Sequence, residues 1–382
     1  MIAIENPPIS VDKSKSLKID AIRFLAAFWV LLYHFHLPLF RSFLPHKLAF
    51  IGSALTAIGT AVFAGPAAVI VFFVISGYCI HNAYHKDVTL KPVNYYASRL
   101  VRIGLPLVIV LLVVQPFPTG PNYVESVLWS LYCEMAYYAI YPLLRPRFRY
   151  LGEMILGCTA AGALMVAIVH ARGPLACTHC VYEIYGVPGT ALLYAAGWIM
   201  GCFIAESQRN ATRFESGAAY SPLTMQMKRF TDSAVALLGK RLVLLRVVVL
   251  AAGALSMTLM STSATKPAFI PLVTPDISLA AFQFLAAIWI AAETSTGSRA
   301  SIWPRLAVLG AWSYSLYLCH KIALSALAVT RFDDTTRFAW FIQVALALVI
   351  SYTFYRLVER PSHSLSQRLR KYAREVPVTE AM

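Results

Sequence analysis

Three ionisable side chains lie inside apolar stretches of this sequence. His34 ends RFLAAFWVLLYH, Glu134 lies in LWSLYCEMAYY, and His320 closes WSYSLYLCH. Placing a strongly charged side chain in a membrane helix costs at least ~2.5–3.5 kcal/mol, so ionisable residues there mark internal sites. A neutral imidazole can take a proton from a hydroxyl, and a neighbouring carboxylate can stabilise the imidazolium that forms. These residues therefore predict a catalytic His/Glu/His site within a membrane.

Cationic residues accompany this site nearer the inner ends of the apolar stretches. They are Arg23, Arg99 and Arg102. At ~1.5 Å of helical rise per residue, the His/Glu/His site lies about 15–20 Å deeper, and Ser76 and Gly77 of FFVISGYCI fall near its level. Guanidinium groups suit phosphate recognition. The layout predicts an acyl-coenzyme A site, in which arginines bind phosphates and the narrow arm carries a thioester inward.

The composition of the chain places these residues in a membrane protein. The 382 residues are 58% hydrophobic and 13% charged, whereas a soluble domain would be roughly 25% charged. The net charge of +15 alone would suit nucleic acid, but the basic residues cluster in short segments between apolar runs. That distribution is typical of cytoplasmic loops and argues against nucleic-acid binding.

The apolar runs predict an all-α, polytopic helical bundle of about ten transmembrane helices. The predicted spans are 22–40, 65–83, 101–117, 124–144, 150–169, 187–205, 242–261, 276–292, 306–329 and 337–357. With the N-terminus inside, 26 of the 33 Lys and Arg residues fall on the cytoplasmic side. This excess predicts that both termini are cytoplasmic.

The remaining segments can be assigned around these spans. Residues 1–361 are predicted to form a single transmembrane domain, followed by a cytoplasmic basic tail over 362–382. The loop 206–241 contains a basic amphipathic piece, MKRFTDSAVALLGKR, which suits the anionic inner leaflet. Segment 41–64 is predicted to be an outer interfacial or re-entrant element. Glu359 is expected to form an ion pair that ends the last helix before Pro361.

The cysteines do not predict a metal site. Cys177 and Cys180 flank His179 in an outer loop, but a structural zinc site needs four ligands and no fourth is evident. A disulfide or two unpaired thiols is the favoured interpretation.

Five segments of the sequence resemble the acyltransferase 3 family of polytopic membrane acyltransferases. In order they are RFLAAFWVLLYH, FFVISGYCI, LWSLYCEMAYYAIYPLL, SYSLYLCH and VERP, spread over residues 17–361. The resemblance implies that Arg23 and His34 are an essential pair. Through the WSL-x-x-E pattern the resemblance extends to Glu134, and through the SYSLYL-x-H pattern it extends to His320, so both are implied site residues. Three residues depart from the family pattern: Tyr132, Cys133 and Cys319.

The resemblance implies a membrane O-acyltransferase that moves an acyl group, with acetyl favoured, from acyl-CoA to a hydroxyl of a cell-surface glycan or lipid-linked sugar. Acyl-CoA would be a donor substrate, with no permanently bound cofactor, and the location would be the cell inner membrane. Family members often carry an extra soluble esterase-like domain, which this sequence is not expected to have. Membrane lipids are expected partners, nucleic acid is not, and self-association is left open.

Other interpretations of the same residues remain open at this point. The ionisable residues could form the proton relay of a glycan or anionic-metabolite transporter or flippase, or the site could acylate a small amphipathic molecule. Arg23, Arg99 and Arg102 could be topological anchors. His34 and His320 could be structural, and Glu134 could be a buried neutral acid.

The topology can be tested by cysteine labelling from the two sides of the membrane. Because most basic residues fall in segments assigned inside, cysteines introduced near positions 178 and 265 should react only from outside. A cysteine near position 225 should react only from inside. Labelling of the 206–241 loop from outside would overturn the orientation and the cytoplasmic donor entrance.

Overall fold

The structure is a computed structural model that describes residues 11–35, 45–85, 90–115, 127–172, 181–210, 214, 219–265, 274–295, 302–329 and 339–375. Throughout these ranges the chain is helical and contains no β-strand. The all-α prediction is therefore confirmed for the described part of the chain. His36, Cys177, His179 and Cys180 lie outside it.

The described residues form fifteen α-helices. They are α1 (Val11–Phe35), α2 (Ala49–Val62), α3 (Gly65–Tyr84), α4 (Pro92–Arg99), α5 (Leu105–Val114), α6 (Trp129–Leu144), α7 (Leu151–Ala171), α8 (Val181–Arg209), α9 (Pro222–Leu238), α10 (Leu242–Thr265), α11 (Pro275–Ser295), α12 (Ile302–Gly310), α13 (Ser313–Val329), α14 (Ala339–Phe354) and α15 (Arg360–Glu375). Two π-helical segments, Leu100–Gly104 and Tyr355–Glu359, join α4 to α5 and α14 to α15.

Six of the described helical segments are long and apolar enough to cross a membrane. They are Ala49–Tyr84, Pro92–Val114, Trp129–Ala171, Val181–Arg209, Asp276–Ser295 and Ala339–Arg370. The chain is thus a membrane protein, whereas the total of about ten spans and the side of each terminus stay predictions. Helix α2 falls within the segment 41–64 and leads almost directly into α3.

Local sequence signals set several of these helix starts. Proline occupies an early position of α3, α4, α5 and α9. At these positions a backbone N–H would have no acceptor within the helix, so the missing N–H of proline costs nothing. Helix α9 also begins with a cap, because the Ser221 hydroxyl accepts a hydrogen bond of 3.2 Å from the Thr224 N–H. This helix covers most of the amphipathic piece that the sequence places in the 206–241 loop.

Helices α3 and α8 form the centre of the bundle and meet backbone to backbone. A Cβ atom on Gly77 would lie 1.9 Å from the Trp198 carbonyl oxygen, and one on Gly201 would lie 2.0 Å from the Val74 oxygen. Small residues at such crossings are typical of membrane helices, which gain packing energy from close approach. Glycine at these two positions therefore permits the contact.

Buried polar contacts attach α1 to the rest of the bundle. Lys18 is only 2% exposed and donates a hydrogen bond of 2.8 Å from its ammonium to the Glu293 carbonyl oxygen. The Glu293 carboxylate accepts two hydrogen bonds from the Arg246 guanidinium, at 2.6 and 3.1 Å. Lys18 and Arg246 thus join α1, α10 and α11 through Glu293.

The prediction that the last helix ends before Pro361 is wrong. The helix passes through the π-helical segment into α15, which continues to Glu375. Pro361 lies in the first turn after that segment, a position that tolerates its missing N–H. Helix α15 packs against α4, where the Ser366 hydroxyl donates a hydrogen bond of 2.7 Å to the Ser98 carbonyl. Glu359 accepts hydrogen bonds from Ser315.

The glycine contact gives a stability prediction with an internal control. Gly77→Ala or Gly201→Ala forces α3 and α8 apart, so each should lower the free energy of unfolding by about 1–3 kcal/mol. Gly157→Ala is the control, because a Cβ there meets nothing within 4 Å. Thermal unfolding in detergent should show a lower Tm for the first two variants and no loss for the control. Equal Tm values in all three would contradict the contact.

Candidate active site

A cavity of about 480 Å³ opens between α1, α3, α6, α13 and the two π-helical segments. Its polar lining residues are Asp20, Arg23, Ser76, Cys79, Asn82, Arg99, Arg102, Ser130, Glu134, Tyr138, Ser313, Tyr314, Tyr317, Tyr355, Glu359, Arg360, His363 and Ser364. Four arginines face three carboxylates, so the lining carries an excess of positive charge. An anionic ligand suits such a cavity.

Arg23 is held in place by three groups around the cavity. One Nη donates to Asp20 Oδ1 at 2.6 Å, and Nε donates to the Ser313 hydroxyl at 3.0 Å. The same Nη lies 3.4 Å from the Gly310 carbonyl oxygen. Arg23 therefore ties α1 to the turn between α12 and α13, and most of its hydrogen-bonding capacity on that side is used by the protein.

Arg99 is placed between two tyrosine rings. Its guanidinium carbon lies 5.2 Å from the Tyr84 ring centroid and 5.6 Å from the Tyr138 centroid. One Nη donates to the Tyr84 hydroxyl at 3.2 Å. Within the described ranges, Arg99 Nε is buried without an acceptor. Cation–π contacts thus hold a cation whose hydrogen-bonding capacity is partly unused.

Both π-helical segments face this cavity. Arg102 belongs to the first, while Tyr355 and Glu359 belong to the second. Single π-turns inside α-helices often occur at functional sites because they redirect side chains. Glu359 Oε2 accepts a 2.5 Å bond from the Ser315 hydroxyl and a 3.0 Å bond from its N–H, so the carboxylate caps the start of α13.

Glu134 lies at the end of a short hydrogen-bond chain on the cavity wall. The Ser76 hydroxyl donates to the Tyr138 oxygen at 2.9 Å, and the Tyr138 hydroxyl donates to Glu134 Oε1 at 2.6 Å. Glu134 and Tyr138 are four residues apart and therefore share one face of α6. These hydrogen bonds join two predicted site residues, Ser76 and Glu134, through Tyr138, which was not predicted from the sequence.

Tyr317 separates this cavity from the predicted histidines. Its hydroxyl donates to the Val127 carbonyl oxygen at 2.9 Å and lies 2.5 Å from the Ser130 hydroxyl. Since the Tyr317 proton goes to the carbonyl, Ser130 is the donor in the second bond. The Tyr317 ring contacts Phe72 on one side and His320 on another, with centroids 5.5 and 6.2 Å away.

His34 and His320 stack on each other beside Tyr317. Their ring centroids are 5.1 Å apart and their planes differ by 27°. His320 Nδ1 lies 2.7 Å from the Tyr317 carbonyl oxygen, which can only accept, so Nδ1 carries the hydrogen and Nε2 carries the lone pair. Among the described residues, this buried Nε2 has no hydrogen-bond partner. An unpaired basic nitrogen is available at this point.

Most of the residues singled out in the sequence therefore lie in one region, but not all of them line the cavity. Arg23, Arg99, Arg102, Ser76 and Glu134 do so. The histidine pair lies next to it, and Gly77 lies in the α3–α8 contact.

Four residues of the cavity wall were not predicted from the sequence: Tyr138, Tyr317, Arg360 and His363. The i,i+4 spacing from Glu134 could have drawn attention to Tyr138, and the spacing from His320 to Tyr317. Arg360 lies in the VERP motif, which drew no attention to its side chain, and His363 carried no comparable signal because the sequence suggested a tail from residue 362.

Comparison with known proteins identifies the family of the chain. The acyltransferase 3 family model, described as an acyltransferase domain, matches residues 16–356, which is nearly the whole chain. The chain belongs to the acyltransferase 3 family. No curated protein and no solved structure matches it.

Family membership establishes the general activity of this membrane protein. It is an acyltransferase, and the matched residues 16–356 include the cavity wall from Asp20 to Tyr355 and both stacked histidines. Membership supports an enzyme and gives no support to the transporter interpretation of the same ionisable residues. The match ends before Arg360, so the lining residues on α15 lie outside it.

The fixed position of Arg23 gives a prediction about the shape of the site. Arg23→Lys can keep the ion pair with Asp20 but cannot also donate to Ser313, because an ammonium lacks the planar fork. We expect a loss of about 1 kcal/mol in the free energy of unfolding, together with weaker acyl-CoA binding. Arg241→Lys, at an exposed position, is the matched control. If the Arg23→Lys variant has the same Tm and the same acyl-CoA affinity as the wild type, the positive charge at this position is sufficient and the guanidinium shape is not required.

Proposed function

We propose that this acyltransferase is an O-acyltransferase of the cell inner membrane. It transfers an acyl group, acetyl in the simplest case, from acyl-CoA to a hydroxyl of a cell-surface glycan or lipid-linked sugar. The observation that carries the proposal is the arginine-rich cavity whose wall at Tyr317 contacts a stacked histidine pair. The acetyl group, the glycan acceptor and the inner membrane rest on the family resemblance.

The cavity supports acyl-CoA as the donor through its charge and shape. The donor phosphates would bind at Arg99, Arg102 and Arg23, because guanidinium groups bind phosphate oxygens in pairs. The pantetheine arm would follow the wall past Ser76 toward Glu134. The thioester would then lie against Tyr317, and a shift of this side chain on binding would bring the thioester to the two imidazoles behind it.

The transfer itself needs a base and a proton donor. His320 Nε2 or the stacked His34 takes the proton of the acceptor hydroxyl. At the same time the oxygen of that hydroxyl attacks the thioester carbonyl. The carbon–sulfur bond breaks, and the imidazolium returns the proton to the departing coenzyme A thiolate. The products are an ester and free coenzyme A, with no net change in protons or electrons. Only one of two stacked imidazoles is expected to be charged, because like charges at this distance repel.

Glu134 supports this step through its charge rather than as the first base. Its carboxylate accepts the Tyr138 hydrogen bond, and Tyr138 accepts from Ser76. This chain fixes the position of a negative charge on the cavity wall, where it would stabilise an imidazolium nearby. Tyr138 also contacts Arg99, so the donor site and the carboxylate share one side chain.

Glutamine substitutions test the two histidines. Glutamine keeps part of the shape and hydrogen bonding but cannot carry a proton near neutral pH. The variant that removes the base, either His320→Gln or His34→Gln, should lower the transfer rate on the order of 10²–10⁴-fold. Its affinity for acyl-CoA should change little. The assay is transfer from labelled acetyl-CoA to candidate glycan lipids by purified protein in nanodiscs, analysed by mass spectrometry.

The control for this experiment is His85→Gln, since His85 hydrogen-bonds the Asn82 carbonyl at the end of α3 and is not a candidate base. A histidine whose glutamine variant retains most of its transfer activity is not the base. Full activity in both variants, or proton-coupled transport without turnover of acyl-CoA in the wild type, would overturn the proposed mechanism.

A further inference from the structure

Helix α15 supplies part of the cavity wall although it lies outside the family match. Arg360, His363 and Ser364 line the cavity, whereas the match ends at residue 356. The three residues occupy the first turns of the helix. His363 and Ser364, which the sequence placed in a basic tail, thus contribute directly to the proposed donor site together with Arg360.

Several contacts fix α15 against the cavity. The Ser362 hydroxyl donates to the Val101 carbonyl, and the Ser366 hydroxyl donates to the Ser98 carbonyl at 2.7 Å. Further along, Arg370 donates from Nη to the Ala83 carbonyl at 2.7 Å, and its guanidinium lies 5.0 Å from the Tyr84 ring centroid. These bonds join α15 to the π-helical segment that carries Arg102 and to the end of α3.

Two of the four cavity arginines have no hydrogen-bonded counter-ion among the described residues, although the Glu359 carboxylate lies within electrostatic range of Arg102. In the described part of the chain, neither Arg102 nor Arg360 makes a side-chain hydrogen bond or an ion pair. By contrast, Arg23 pairs with Asp20, and Arg99 bonds Tyr84. The three cavity carboxylates bind other partners: Asp20 binds Arg23, Glu134 binds Tyr138, and Glu359 binds Ser315. Positive charge is therefore in excess where α15 meets the first π-helical segment.

We propose that Arg360 and His363 of α15, together with Arg102, form a phosphate-binding wall that holds the phosphorylated end of the acyl donor. The proposal rests on the proposed function and extends it to a segment outside the family match. His363 Nε2 accepts from the Gln367 amide at 2.6 Å, so in this tautomer its Nδ1 carries a hydrogen that can be donated. Two guanidinium groups and an imidazole donor match the several oxygens of a phosphate or pyrophosphate.

A phosphate fits this wall better than a carboxylate ligand. A phosphate offers oxygens in three directions and can bond cations from two helices at once, whereas a carboxylate has two oxygens in one plane. Arg360 and Arg102 lie on different helical segments, which are joined by the Ser362 bond. A ligand that bridges them would also tie α15 to the rest of the cavity.

The test compares Arg360→Gln with Arg368→Gln, an exposed arginine on the same helix that does not line the cavity. Binding of coenzyme A to full-length protein in nanodiscs should weaken about tenfold in the Arg360 variant and stay unchanged in the control. Arg360→Lys, which keeps the charge, should lose less. Adding His363→Gln to Arg360→Gln should weaken binding further.

A second ligand identifies the phosphate that is bound. If the loss is smaller for 3′-dephospho-coenzyme A than for coenzyme A, the wall binds the 3′-phosphate, and equal losses indicate the pyrophosphate. Equal coenzyme A affinities in the Arg360 and Arg368 variants would overturn the phosphate wall while leaving the proposed function intact. Wild-type protein that binds inorganic pyrophosphate through Arg360 but does not bind coenzyme A would instead overturn the proposed donor.

Discussion

The close crossing of α3 and α8 is the contact on which the rest of the site depends. Gly77 and Gly201 allow the two backbones to approach until a methyl group would overlap a carbonyl oxygen. The same helix α3 carries Ser76 and Cys79 on the cavity wall, on either side of Gly77. Because membrane helices associate through packing rather than through the hydrophobic effect, this contact has no simple substitute. The position of Ser76 follows from that crossing, and Ser76 in turn donates to Tyr138, which donates to Glu134.

A second constraint is the cost of leaving polar groups unpaired in an apolar bundle. Most ionisable groups at the cavity have a hydrogen-bond partner one helical turn away, as Arg23 has in Asp20 and Glu134 has in Tyr138. Others bond across helices, as Glu359 does with Ser315. Against this background the exceptions are informative. In the described residues, eight buried polar side-chain atoms have no partner, and His320 Nε2 and Arg99 Nε are the two that lie at or next to the cavity. Such groups are costly unless a ligand or a reaction uses them.

The cavity therefore divides into two chemically different ends. One end combines four arginines with aromatic rings, and Arg99 shows how tyrosines can hold a cation without neutralising it. The other end is the wall formed by Tyr317, which contacts Phe72 and His320. Tyr317 serves both sides, since its side chain faces the cavity while its carbonyl fixes the tautomer of His320. A donor with a phosphorylated end and a narrow reactive arm suits this division.

The sequence by itself determined the properties that depend on local order along the chain. Apolar runs indicated the helices, and the scarcity of charged residues indicated a membrane protein. Five ordered motifs indicated the family, and rise per residue put His34 and His320 at similar depth, where the structure has them stacked. Only the tertiary structure decided how each helix is rotated about its own axis. That rotation placed Gly77 in a helix contact, the Glu134 and Tyr138 face of α6 toward the cavity, and Arg360 on the cavity wall. Hydropathy does not specify rotation in a bundle surrounded by lipid, because apolar residues suit both the interior and the lipid-facing surface.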